Sequence, residues 1–286
     1  MNGHPHIAIA SGKGGTGKTT VATSLARVLG HGVQLLDCDV EEPNARLFLR
    51  GDVQESRMVA VPVPVIDETR CDGCGECARF CAYNALAAVG GAPLVFPELC
   101  HGCGGCVKVC PRQAMRETQR RVGMVETAEA DGVIVIQGAL DVGVAMAPPV
   151  IHAVKAHARR DAPAVIDAPP GTSCPVIAAV RGADAVALVT EPTPFGLHDL
   201  RLAVEMTRTL AIPSAVIINR AGSGDDRVQA YCRVEGITVL FELPDERRIA
   251  EALARGAVLV DAFPEYRSRF ERGWKQLVAI ATEHHA

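Results

Sequence analysis

Gly12-Lys-Gly-Gly-Thr-Gly17-Lys18-Thr19 is the stretch from which the rest of the chain is read. It fits the pattern G-x-x-x-x-G-K-[ST], in which small residues let backbone N–H groups turn inward around phosphates. Ile7 to Ala10 ahead of it is a short apolar run. Behind it, Lys18 to Leu29 has helical apolar spacing at Val21, Leu25 and Val28 and stops at Gly30. A strand before the loop and a helix after it are the context the pattern requires, and the helix adds its positive dipole end. On this reading Gly12, Gly14, Gly15, Thr16 and Gly17 form a phosphate cradle. Lys18 reaches the terminal phosphates, the Thr19 hydroxyl binds Mg²⁺, and Thr20 follows in the same turn.

Working outward, Val33–Leu36 reads as a second strand that ends at Asp37 and Asp39. Further apolar runs lie at Val133–Ile136, Ala164–Ile166, Ala185–Val189, Ala215–Ile218 and Ile237–Leu240, with helical patterns between most of them. Strands alternating with helices predict an α/β fold with a mainly parallel sheet covered by helices on both faces. Between about Val61 and Thr118 the pattern changes to a Cys/Gly-rich segment with no long helix. The expected organisation is therefore one discontinuous domain, 1–61 and 118–286, interrupted by a small α+β insert at 62–117.

Eight of the 11 cysteines lie between Cys71 and Cys110 in a chain of 286 residues. A disulfide framework suits small secreted domains, and the opening residues show no basic region followed by an apolar core. A cytoplasmic location is expected, and clustered cysteines there point to metal. The net charge of −4 gives no reason to expect nucleic acid as a partner. The longest apolar stretch, 132–150, is interrupted by Gln137, Asp141 and the Pro148–Pro149 pair, which does not suit a membrane-spanning helix.

The cysteines repeat. Cys71-x2-Cys74-x2-Cys77-x3-Cys81 recurs as Cys100-x2-Cys103-x2-Cys106-x3-Cys110. This is the spacing of bacterial two-cluster ferredoxins. Three thiolates on a tight loop grip three corners of one cube, and the fourth, one helical turn on, points to the other cube. Cys71, Cys74, Cys77 and Cys110 are expected to hold one [4Fe–4S] cluster, and Cys100, Cys103, Cys106 and Cys81 the other. Gly73, Gly75, Gly102, Gly104 and Gly105 permit the turns. Pro111 follows Cys110 as in the ferredoxin motif, while Ala82 stands where proline is usual after Cys81. Zinc held by four cysteines at each site is the competing reading.

Lys13 turns the phosphate loop into K-G-G-x-G-K-T-T, and with it the sequence resembles the MinD/ParA/nitrogenase-iron-protein superfamily. The resemblance implies an ATP-sandwich homodimer in which Lys13 reaches the partner's nucleotide; the alternative is a solvated loop lysine. Asp37-Cys-Asp39 falls where the family has its first switch, which implies that Asp39 positions the attacking water. Asp167-Ala-Pro-Pro-Gly171-Thr resembles the second switch, with Asp167 holding Mg²⁺ through water and the Gly171 N–H sensing the γ-phosphate. Asn219-Arg220 resembles the adenine-contacting segment and Pro244-Asp245-Glu246 the second adenine-side loop; no N-K-x-D is present to favour GTP.

With Glu191-Pro-Thr-Pro-Phe-Gly-Leu-His-Asp-Leu200, the whole chain resembles MinD-superfamily ATPases that carry an inserted ferredoxin domain. The function this implies first is an ATP-gated dimer that couples nucleotide state to electron transfer toward a redox partner. A positioning or scaffold ATPase of a multiprotein complex, with sensing or structural clusters, ranks second. Cluster assembly or transfer ranks third. Cys174 lies where the nitrogenase iron protein has a cluster ligand, but 132–150 offers no second cysteine, so an inert thiol is expected over a bridging third cluster. Phe270, Trp274, Leu277 and Ile280 share one face of a C-terminal helix, and docking on the core is favoured over contact with a membrane surface.

Overall fold

A computed structural model describes residues 4–284. The strands are β1 (His6–Ala10), β2 (Gln34–Asp37), β3 (Val53–Ile66), β4 (Leu86–Ala87), β5 (Leu94–Val95), β6 (Met115–Ala130), β7 (Val133–Leu140), β8 (Ala164–Asp167), β9 (Ala185–Thr190), β10 (Ser214–Ala221) and β11 (Val239–Pro244). Among the described residues, nine of these form one sheet in the order β11-β10-β9-β1-β8-β2-β7-β6-β3. From β11 to β7 all neighbours run parallel, whereas β6 is antiparallel to both β7 and β3. The mainly parallel α/β architecture expected from the sequence is thus present. Two hydrophobic layers bury the sheet, one around Leu36, Ile166 and Leu188 and the other around Ile9, Leu35 and Ile217. Such double burial explains why the central strands read as continuous apolar runs.

Two strands were not expected from the sequence. β3 and β6 form a long antiparallel ribbon, from Val53 paired with Ala128 to Ile66 paired with Met115. β3 is the sheet edge, so Pro62 and Pro64 cost it no interior ladder bond. The ribbon passes without a break through positions 61 and 118 and carries the cysteine-rich segment at its far end. β11 is displaced two or more residues C-terminal to the expected run, in company with register shifts against β10.

The cysteine-rich segment repeats itself in backbone conformation as well as in sequence. Gly73 and Gly102, each two residues past the first cysteine, have φ of 71° and 67°. Gly75 and Gly104 follow at 73° and 69°, and each opens a short helix, Glu76–Phe80 or Gly105–Val109. Asn84 and Gln113, each three residues past the last cysteine, also adopt positive φ. These left-handed turns are open to glycine and tolerated by Asn, which is why the loops can curl so tightly. Gly105 serves a different purpose from the turn assigned to it: a Cβ there would lie 2.1 Å from Cε1 of Phe80.

The C-terminal helix Arg267–His284 packs inward. Phe270, Leu277 and Ala281 are fully buried, and Trp274 and Ile280 lie partly buried against the same layer. Phe270 meets Phe241 of β11 with ring centroids 4.9 Å apart. The apolar face is therefore used within the chain, as favoured from sequence. Among the described residues no helix is long and apolar enough to cross a membrane. Phe270→Ala is expected to lower unfolding free energy by about 3–5 kcal/mol, the usual cost of emptying an aromatic core site, read by urea titration.

Candidate functional site

The phosphate loop sits where β1 ends and helix Lys18–Leu29 begins. Gly17 makes the turn with φ 94°, and a Cβ on it would lie 2.4 Å from Nδ2 of Asn219. That amide donates to the Thr16 carbonyl at 2.8 Å. Asn219, expected against the base, lines the cleft and in addition braces the phosphate loop from β10. Gly12 lies under helix Pro194–Thr209, close enough to the Asp199 carbonyl that any side chain would collide. Loop and helix start open on a cleft of about 440 Å³ at the carboxyl ends of the parallel strands, within the range of small-ligand sites.

One end of the cleft is polar. Gly14, Gly15, Gly17, Lys18, Thr19, Thr20 and Asp39 line it. At the other end Arg220, Pro244, Asp245 and Glu246 join Phe48, Ile249 and Leu253, an apolar wall suited to a flat base. Phe48 and Ile249 carry no sequence signal of this role, because they reach the cleft from separate segments. Asp37 and Asp167 pair side by side at the ends of β2 and β8 and are fully buried. Asp37 accepts from the N–H groups of Asp39, Asn44 and Ala45. It organises the loop that presents Asp39. Burial pushes its carboxyl up to about 7, against those amides.

Asp167 is different. Neither of its oxygens accepts a well-formed hydrogen bond, although both are buried. Burial, then the adjacent Asp37, hold its carboxyl well above the usual carboxylate range, while the Thr19 hydroxyl and Lys18 ammonium pull the other way. Burial lowers Lys18, opposed by Asp167 and Asp39, and burial raises Asp39, opposed by Lys18. Orphaned carboxylate oxygens beside a P-loop threonine fit a hydrated divalent cation with its phosphate, which would supply the missing positive charge. Among the described residues, Thr16 Oγ1 and the cleft-lining Asn44 Oδ1 are further buried oxygens without a hydrogen-bond partner.

Two expected residues are engaged elsewhere. The Gly171 N–H donates to the Ser11 carbonyl at 3.0 Å, so in this conformation it does not face the phosphate position. Lys13 does not line the cleft; its Nζ pairs with Oε2 of Glu191 at 2.9 Å in the same chain. Glu191 received no role from sequence, since its partners are distant in the chain and only folding joins them.

The cysteines ring two cavities. One is lined by Cys71, Cys74, Cys77 and Cys110, the other by Cys81, Cys100, Cys103 and Cys106. The crossed partition expected for paired cubes is the one in which the side chains are arranged. Burial, then the nearby Cys100 and Cys103 thiols, push Cys106 up to about 11 against the Val107 amide. Burial raises Cys77 too, opposed by backbone amides and assisted by Cys110 and Cys71. Thiolates crowded in this way need a compensating cation to ionise. Backbone amides already face sulfur, Gly102 toward Cys100 and Ala114 toward Cys110. Among the described residues no three His, Cys, Asp or Glu groups converge on a position for one ion. Four thiols around each cavity match the number and type of ligand that a cubane cluster takes.

The remaining cysteines are separate. Cys38 and Cys232 are buried, and burial raises both, Cys232 to about 11. Cys174 is exposed at the start of helix Cys174–Val180.

The family described as the CobQ/CobB/MinD/ParA nucleotide binding domain matches residues 7–260. An uncharacterized protein of Methanocaldococcus jannaschii is 33% identical over 222 residues, 76% of this chain and 78% of its own. The iron-sulfur cluster carrier protein of Pyrococcus horikoshii is 25% identical over 272 residues, covering 89% of this chain and 78% of that protein. Among solved structures, the septum site-determining protein MinD of P. horikoshii, complexed with Mg-ADP, superposes with a TM-score of 0.58 at 19% identity, covering 98% of each chain.

Proposed function

This chain belongs to the CobQ/CobB/MinD/ParA nucleotide-binding family, and from that premise we propose that it is an ATP-hydrolysing iron–sulfur protein whose nucleotide state gates electron transfer. The observation that carries this reading is the crossed partition of eight cysteines around two cavities in a chain that also holds a complete phosphate loop. When bound, the clusters would supply one-electron chemistry, held by Cys71, Cys74, Cys77 and Cys110 and by Cys100, Cys103, Cys106 and Cys81. Lys18 and the loop amides would bind the ATP phosphates. Thr19 and Asp167 would hold Mg²⁺, and Asp39 would orient water for hydrolysis. An ATP-dependent homodimer, with Lys13 serving the partner's nucleotide, completes the proposal.

Coupling has a physical route. The segment after β2 presents Asp39, Asn44 and Phe48 to the cleft. The Leu140 N–H at the end of β7 donates to the Val40 carbonyl in that segment, and Arg46 pairs with Glu126 of β6. β6 then runs directly to Met115, beside the cavity of Cys71 and Cys110. A nucleotide that moves residues 39–48 would therefore pull on the strand that carries the cysteines.

A second reading, delivery of clusters to other proteins, is favoured by the name of the P. horikoshii relative. Four cysteines per cube leave no open ligand position, which supports resident clusters. Anaerobic incubation with an apo-ferredoxin acceptor separates the two. Resident clusters stay with this chain when ATP is added, while quantitative ATP-dependent transfer of iron and sulfide to the acceptor would overturn the electron-transfer reading.

A further inference from the structure

Glu191 holds two cations at once. Its side chain is 8% exposed, with Oε2 at 2.9 Å from Lys13 Nζ and Oε1 at 2.6 Å from Arg220 Nη1. The backbone that bears it is held in a turn, since the Glu191 carbonyl accepts from the Thr193 N–H. Arg220 is fixed too. It sits at φ 55° in an irregular stretch of β10, and Ser223 donates to its carbonyl through both N–H and hydroxyl. A non-glycine residue kept in that region by its surroundings marks a place where the fold specifies direction. Lys13 is the third member, on a long flexible stem at the outer turn of the phosphate loop.

The charges do not balance within this group, and the imbalance matters. A carboxylate this buried is strongly disfavoured if left without a cation. One cation satisfies that need, so with two present either can depart and leave the other as compensation. Arg220 starts from a backbone fixed in the left-handed region, although its side chain is the more exposed of the two, 52% against 32%; Lys13 stands on the phosphate loop itself, where a nucleotide enters, and is the one that departs. We propose that Glu191 is a positioning residue for Lys13. In the nucleotide-free chain it parks the lysine in cis. Arg220 stays behind as the counter-charge when Lys13 leaves for the nucleotide of a second copy. This inference rests on the proposed homodimer with Lys13 acting across it.

The test uses the full cluster-loaded chain, kept anaerobic, with a non-hydrolysable ATP analogue at saturation and sedimentation velocity over a protein dilution series. Glu191→Gln removes the parking charge and should dimerise at roughly tenfold lower protein concentration than the unaltered chain, the size of one lost charge-assisted hydrogen bond. Arg220→Met leaves Lys13 as the sole counter-charge and should need roughly tenfold more protein, by the same measure. The double variant should return to the behaviour of Glu191→Gln, because nothing then holds Lys13. An unchanged midpoint for Glu191→Gln, or a double variant that keeps the Arg220→Met defect, overturns the proposal. A second measurement needs no substitution. In the nucleotide-free chain an amine-reactive reagent should label Lys13 several-fold more slowly than the exposed Lys275. Equal rates would also overturn it. An unaltered chain that stays monomeric with the analogue defeats the homodimer reading instead, and the labelling then decides alone whether Glu191 holds Lys13.

Discussion

Lys18→Ala is expected to lower ATP hydrolysis by roughly 100- to 1,000-fold, the usual effect of deleting one preorganised donor from a charged transition state. The residue is 6% exposed, and its ammonium interacts with both Asp167 and Asp39. A terminal phosphate entering the cleft brings more negative charge to a place that already holds two raised carboxyls. Without Lys18 that charge has only loop amides and the metal to meet it. The substitution should leave the chain folded, because Asp167 and Asp39 can take up protons when their cation is removed. Anaerobic phosphate release measures the loss, and circular dichroism checks the fold. Lys18→Arg should not restore the rate, since a planar guanidinium does not replace a point ammonium in a closed turn. Full activity in Lys18→Ala would mean that the cleft is not the hydrolytic site.

The second large effect concerns the clusters. On the proposed ligation, Cys110→Ser should cost half of the bound iron and sulfide, with the loss falling on the cube assigned to Cys71, Cys74 and Cys77 rather than on its own repeat. Double substitutions reveal the partition, because ligands of one cube fail together and ligands of different cubes fail additively. Cys110→Ser with Cys74→Ser should keep the same half as either single variant. Cys110→Ser with Cys103→Ser should keep almost none. The reverse pattern would mean that each repeat holds its own metal, against the cavity linings. Iron and sulfide analysis of anaerobically prepared protein gives the answer directly.

The parts of the molecule that sequence exposes well are those whose signal is local. β1, the phosphate loop and its helix lie consecutively, and the cysteine repeat carries its turns within it. The β3–β6 ribbon is harder to see. The exposed Arg116–Gln119 run and the prolines at 62 and 64 read as irregular chain, yet they are what a solvated edge ribbon permits. Glu191 is harder still, because its meaning comes from residues 13 and 220. Asn219 shows the converse limit: a strand-end asparagine is recognisable, but the Thr16 carbonyl it braces becomes known only from the fold. Gly171 likewise belongs to a recognisable segment, while its bond to Ser11 does not follow from any spacing.

In the proposed function the nucleotide cleft and the cysteine cavities act on each other through residues 39–48 and β6. ATP hydrolysis by the anaerobic, cluster-loaded chain, first with the clusters oxidised and then reduced by dithionite, reads this coupling. The rate is expected to differ between the two states, and Arg46→Ala, which removes the pair with Glu126, is expected to narrow the difference. The same rate in both states would contradict it, and would leave the clusters as a structural or docking module on an independent ATPase.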